Sequence, residues 1–246
     1  MVDSYDYRLV ALSVLVSILA AYAACDLSER LRDVRGRAWL AWLVGGATAH
    51  GIGTWSMHYT GMLAFRLPVP VQYDWPTVLL SLLVSILGSV AALVVVSRRT
   101  IGWPWALAGS IFLGGVGISG LHYTAMAAMR QQGMHPYAAA LVTLSVVLAI
   151  VLSLMALSLT FLVRDNAPRP SLRSHGSAVL RGSANPVRHY TAMAAVSFRR
   201  SSELPDLSHA VSISSLGVRG ISIVPVMVLA VALPTTEWRR VRGGGP

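Results

Sequence analysis

One ordered phrase occurs three times in this 246-residue chain and constrains its folding more than any other feature: Met57-His58-Tyr59-Thr60-Gly61-Met62, Leu121-His122-Tyr123-Thr124-Ala125-Met126 and Arg188-His189-Tyr190-Thr191-Ala192-Met193. The histidines are 64 and 67 residues apart. In an apolar chain that period fits two membrane-crossing helices with their loops, so the fold is expected to count in helix pairs. On a helix, His at i and Met at i+4 share a face one turn apart, so each phrase offers an imidazole and a thioether to the same neighbour.

The surrounding sequence is 54% hydrophobic and 12% charged, with a mean hydropathy of +0.61. That places it with polytopic membrane proteins rather than soluble domains. Helices are expected over about Leu9 to Cys25, Trp39 to Phe65, Thr77 to Ser97, Trp103 to Met129, Tyr137 to Val163, Ser174 to Phe198 and Ala210 to Leu233. The expected fold class is all-α, with seven transmembrane helices built from three helix-pair repeats plus one helix; six helices is the minority reading. Residues 1–236 would form one membrane domain and residues 237–246 a short basic cytoplasmic tail. The first apolar run lacks a basic leader and a small-x-small cleavage site, so it reads as a retained helix.

The sixth helix is the weakest by hydropathy, because Arg181, Asn185, Pro186 and Arg188 interrupt it. Arginine at the centre of a span costs about 2.5 to 3.5 kcal/mol on insertion scales. Without this helix, however, the third phrase would lie in a loop.

The net charge of +10 comes from arginine alone, as the chain has no lysine. Twelve arginines fall in the segments expected to be cytoplasmic (Arg30, Arg32, Arg35, Arg37, Arg98, Arg99, Arg164, Arg169, Arg173, Arg239, Arg240 and Arg242). Five fall outside: Arg8, Arg66, Arg130, Arg199 and Arg200. This asymmetry puts the N-terminus outside and the C-terminus in the cytoplasm, and explains the basic charge without a nucleic-acid partner. Cys25, the single cysteine, permits no intrachain disulfide and no Cys-based zinc or iron–sulfur site. Glycines concentrate in the second and fourth helices, marking them as inner elements, whereas the third and fifth read as lipid-facing.

This topology brings all three phrases to one depth, toward the outer ends of the even-numbered helices. Imidazole and thioether donors without carboxylate or thiolate suit copper better than magnesium, calcium or manganese, with zinc possible through histidine alone. A lone membrane histidine is more often a packed, hydrogen-bonded interior residue. Three repetitions of the same pentad favour a ligand set instead, because packing alone does not demand the repetition. Tyr59, Tyr123 and Tyr190 could serve either as hydrogen-bonding supports or as interfacial anchors.

Trp55-Ser-Met-His-Tyr-Thr-Gly-Met62-Leu-Ala-Phe and its two later copies resemble the MHYT domain of bacterial integral-membrane sensors, over nearly the whole chain. The resemblance implies seven helices in the bacterial cytoplasmic (inner) membrane, with the motifs near the outer face. It also implies a proposed copper site that senses oxygen, carbon monoxide or nitric oxide, or redox state. On this chain the ligands would be Met57, His58, Met62, His122, Met126, His189 and Met193, with His50 a possible addition two turns deeper. Leu121 and Arg188 stand where the family phrase opens with Met, and Arg188 places a cation beside the third site. Such domains are often followed by a cytoplasmic cyclic-di-guanylate enzyme or histidine kinase. None is recognisable here, so a separate cytoplasmic partner is expected.

No Asp or Glu lies in the expected helices, and no Gly-x-Ser-x-Gly, His-Glu-x-x-His or phosphate-loop motif occurs. A sensory module is therefore favoured and an enzyme is not expected. A copper-handling transporter or metal-binding protein is the alternative.

Overall fold

A computed structural model describes residues 4–66, 71–98, 102–130, 138–166, 172–196 and 207–212. These residues hold six helices. α1 spans Tyr7–Asp33, with Asp6 as its N-cap accepting the Arg8 N–H at 3.1 Å. α2 spans Gly36–Ala64 and is entered through Gly36 at φ 60°, a conformation glycine adopts without Cβ strain. α3, Trp75–Val96, opens with Pro76 in its first turn and Asp74 capping the Thr77 N–H at 3.1 Å. α4 runs Trp103–Ala127. Its middle, Ile111–Ser119, winds as a π-helix between α-helical Trp103–Ser110 and Gly120–Ala127. There the Ser119 hydroxyl donates to the Gly114 carbonyl five residues back, at 2.8 Å. α5 spans Ala139–Asn166 and α6 Leu172–Ala194, with Pro186 inside it.

The helices form a closed ring, each packed on the next, with α1 returning to pack on α6. Stripes of small residues on the odd helices make the close packing possible: Ser13, Ser17 and Ala21 on α1, Ser81, Ser85 and Ser89 on α3, and Ser145, Ala149 and Ser153 on α5 are all buried. α3 and α4 cross at Gly88 and Gly117, where a Cβ on either glycine would run into the other's backbone. Because the ring closes, α1 stands beside α6 as α3 does beside α2 and α5 beside α4. The chain thus contains three helix pairs arranged with approximate threefold symmetry.

Four of the helical stretches are long and apolar enough to cross a membrane: Tyr7–Cys25, Trp75–Val96, Trp103–Ala127 and Ala139–Leu159. α2 and α6 are long enough but more polar in composition, and their polar side chains are turned into the ring. Thr54, Ser56, His58 and Thr60 are buried on α2, as are Asn185, Arg188 and His189 on α6, while Leu180 and Val187 are exposed. α1 and α5 run past their apolar stretches, so Asp26, Glu29, Asp33 and Asp165 lie on helices rather than beyond them as expected. The apolar stretches themselves remain free of carboxylates.

Two small antiparallel sheets cover the phrase-bearing end. β1 (Ser4–Tyr5) pairs with β2 (Phe65–Arg66), and β3 (Gln72–Asp74) pairs with both β4 (Met129–Arg130) and β5 (Ala210–Ser212). β5 corrects the start of the expected seventh helix. Ala210–Ser212 is a strand in register with β3, held also by the Trp75 N–H donating to the His209 carbonyl at 3.1 Å. The rest of that expected helix, and the expected basic tail, lie outside the described residues.

Candidate metal centre

The three phrases end α2, α4 and α6 at the same level, so ring closure turns their histidines toward one another. His58, His122 and His189 are completely buried, and one ring nitrogen from each lies within 4.8 Å of the others. Ring centroids are 5.1 Å apart for His58–His122, 4.8 Å for His58–His189 and 5.3 Å for His122–His189, and the rings stand nearly perpendicular. Nδ1 of His58 and Nδ1 of His189 are 3.1 Å apart. Nε2 of His58, Nε2 of His189 and both nitrogens of His122 have no hydrogen-bond partner among the described residues. Buried imidazole nitrogens without partners are costly, and a shared cation relieves that cost. A metal with bonds of about 2 Å needs donors about 4 Å apart or less, so this group could hold an ion with a small inward shift of the rings.

Gly61 explains the small fourth residue after Met57 in the first phrase. A Cβ there would lie 2.5 Å from Nε2 of His189. Ala125 and Ala192 occupy the same place in the other phrases and are completely buried.

Met62, Met126 and Met193 pack into a single buried cluster with Tyr59, Phe65 and Tyr73, at the strand-covered end. Met57 is also fully buried. The tyrosine rings stand edge-on to their histidines at 5.1, 4.9 and 4.9 Å. The hydroxyls of Tyr123 and Tyr190 bond outward, to Ser145 at 2.6 Å and to Ser13 at 3.0 Å, while in the first copy the Trp55 Nε1–H donates to Ser81 at 3.1 Å. These contacts tie each phrase helix to its odd-numbered partner. His50 is not part of the triad: its Nδ1 lies 2.9 Å from the Ser89 hydroxyl, and it lines a separate cavity with Arg181, Asn185 and Arg188. The serine stripes were readable at i, i+4, i+8 spacing but escaped the sequence reading, which looked for glycine.

The family model described as a bacterial signalling protein N-terminal repeat, MHYT, matches residues 51–109 and 115–172. The chain belongs to the MHYT family. These two matched MHYT repeats contain the first and second phrases; the third lies beyond them. The chain is 38% identical over 233 residues to the bifunctional diguanylate cyclase/cyclic di-GMP phosphodiesterase MucR of Pseudomonas aeruginosa, covering 95% of this chain and 34% of MucR. It is 31% identical to the signaling protein YkoW of Bacillus subtilis, covering 80% and 25% respectively. It is 35% identical to the cyclic di-GMP phosphodiesterase NbdA of P. aeruginosa, covering 78% and 24%. The chain therefore spans about a third or less of these relatives. No solved structure matches it.

Proposed function

We propose that this MHYT chain is a seven-helix sensory module of the bacterial cytoplasmic membrane that binds one copper ion between His58, His122 and His189. The burial and convergence of three imidazoles, with their nitrogens within 4.8 Å, is the observation that carries this reading. Three neutral imidazoles backed by buried thioethers form a donor set of the kind that favours copper, with Met57, Met62, Met126 and Met193 as the sulfur donors nearest in sequence. A cavity of about 450 Å³ lined by Tyr5, Tyr7, Phe65, Tyr190 and Met193 lies at the phrase end and is the proposed point of entry for a small gas. Oxygen, carbon monoxide, nitric oxide or the copper redox state is the proposed signal. The names of MucR and NbdA point to cyclic di-GMP turnover as the output, delivered here through a cytoplasmic cyclic-di-guanylate enzyme or histidine kinase.

Metal analysis of detergent-purified protein tests the reading. One copper per chain is expected, and about a tenth of that or less in His58→Ala or His122→Ala, since two remaining donors hold the ion weakly. Full copper content in both variants would sink the shared site. Copper handling by transport is the competing function. It predicts copper flux into proteoliposomes, which a sensor does not produce.

A further inference from the structure

Between the histidines and the end opposite the phrases, the ring encloses a cavity of about 110 Å³. Its walls are largely apolar, but α6 gives it a polar side formed by Arg181, Asn185 and Arg188, with His50 and Ser89 facing in from α2 and α3. Arg188 is 1% exposed, and its Nε and Nη2 have no hydrogen-bond partner among the described residues. Asn185 is 8% exposed and its Oδ1 is likewise unpartnered. In the other two phrases the position of Arg188 holds Met57 and Leu121, both fully buried, so the charge breaks the symmetry on the side where the cavity lies. The two carboxylates whose side chains are described, Asp6 and Asp74, are ion-paired with Arg66 and Arg130 at the phrase end. A buried guanidinium is stable only with a matching acceptor.

Nε and Nη2 lie on one edge of the guanidinium, where their N–H bonds run parallel and fit the two oxygens of a carboxylate. The exit from the cavity indicates what carries that carboxylate. A second cavity of about 130 Å³ shares Leu152, Ala156, Arg181 and Ala184 with the first, and reaches the exposed Met155, Leu180 and Val187 on the lipid-facing surface between α5 and α6. We propose that the lumen binds the carboxylate head of a single-chain amphiphile, held bidentately by Arg188, with its hydrocarbon chain leaving between α5 and α6 into the bilayer. The Asn185 amide, whose NH2 donates to the Thr54 hydroxyl at 3.4 Å, adds a further donor to the head when it turns from Thr54 toward the lumen.

The test uses the purified full chain in a neutral maltoside detergent, with displacement of a fluorescent eighteen-carbon polyene carboxylate as the readout. Oleate displaces it saturably, methyl oleate about tenfold more weakly or worse, and acetate at millimolar concentration does not displace it. Arg188→Met lowers oleate affinity about tenfold or more, the loss expected when a buried charge pair is removed, and Arg188→Lys recovers part of it. Leu180→Trp, which narrows the lipid-side groove, weakens oleate binding without removing the guanidinium. Equal affinity in Arg188→Met, or methyl oleate binding as tightly as oleate, would show that the head is not recognised. Acetate competing as well as oleate would show a small-anion site in which the chain plays no part. A fold check by thermal unfolding accompanies each variant, and Asn185→Leu, which keeps Arg188, is expected to show a smaller loss of the same kind.

Discussion

At Gly61 a single missing methyl group admits the imidazole of another helix. Gly61→Ala would place its Cβ 2.5 Å from His189 Nε2, and neither group is at the end of a flexible chain. Overpacking of this kind typically costs about 1 to 3 kcal/mol. We expect a lower thermal midpoint in detergent together with copper content well below one per chain, whereas Ala192→Gly leaves copper content near that of the wild type. Undiminished copper in Gly61→Ala would mean that His189 does not take part. Arg188 acts on the same histidine in another way, as its fixed charge repels a cation held by the adjacent residue. Arg188→Met is therefore expected to tighten copper binding in a competition titration against a chelator, and an unchanged affinity would show that the charge is screened from the site. The triad was legible because the repeated phrase has no packing explanation. The inward aim of Arg188 was not legible, since hydropathy scores an arginine without saying which neighbour it faces.

Among the helices, the caps outside the apolar stretches respond to pH. The hydrogen bond from the Arg66 guanidinium holds the Asp6 carboxyl below the usual carboxylate range, and that from the Thr77 side chain does the same for Asp74. A carboxyl with a depressed folded pKa contributes stability that is fully present above its unfolded value of about 3.9 and lost as pH falls through the folded value. The thermal midpoint should therefore fall as pH drops from about 5 to 3, and the fall should be shallower in Asp74→Asn; an identical slope in that variant would assign the effect to other groups. The crossing of α3 and α4 is governed by size instead. Gly117→Val forces its side chain into the backbone at Gly88 and should destabilise the ring by about 1 to 3 kcal/mol or more. Helix positions could be read from apolar runs ended by Pro, Gly and Asp, and α6 only from its phrase, because Asn185 and Arg188 face inward and depress its hydropathy. The strands could not be read. Pairs such as Tyr5 with Phe65 and Tyr73 with Val211 are two or three residues long and depend on partners far apart in sequence.

For the molecule as a whole, the closed ring places the two proposed ligands on either side of one peptide bond, the metal at His189 and the carboxylate at Arg188. The guanidinium repels a cation in the triad, and a carboxylate seated on its Nε and Nη2 edge neutralises that charge, so each ligand should favour the other. Thermodynamic reciprocity requires the factor to be the same in both directions, and couplings of this kind commonly amount to about fivefold or more. We therefore expect saturating oleate to raise copper affinity, and copper to raise oleate affinity by the same factor within error. Both effects should vanish in Arg188→Met, even though that variant binds copper more tightly on its own. Chelator competition with and without oleate measures one arm, and polyene-carboxylate displacement with and without copper measures the other. If copper affinity is unchanged by oleate while both ligands bind, the two sites are electrically isolated and the lumen is not part of the sensing apparatus. If the two factors differ beyond error, the carboxylate or the metal is binding at a second place as well, and the assignment of the head to Arg188 fails.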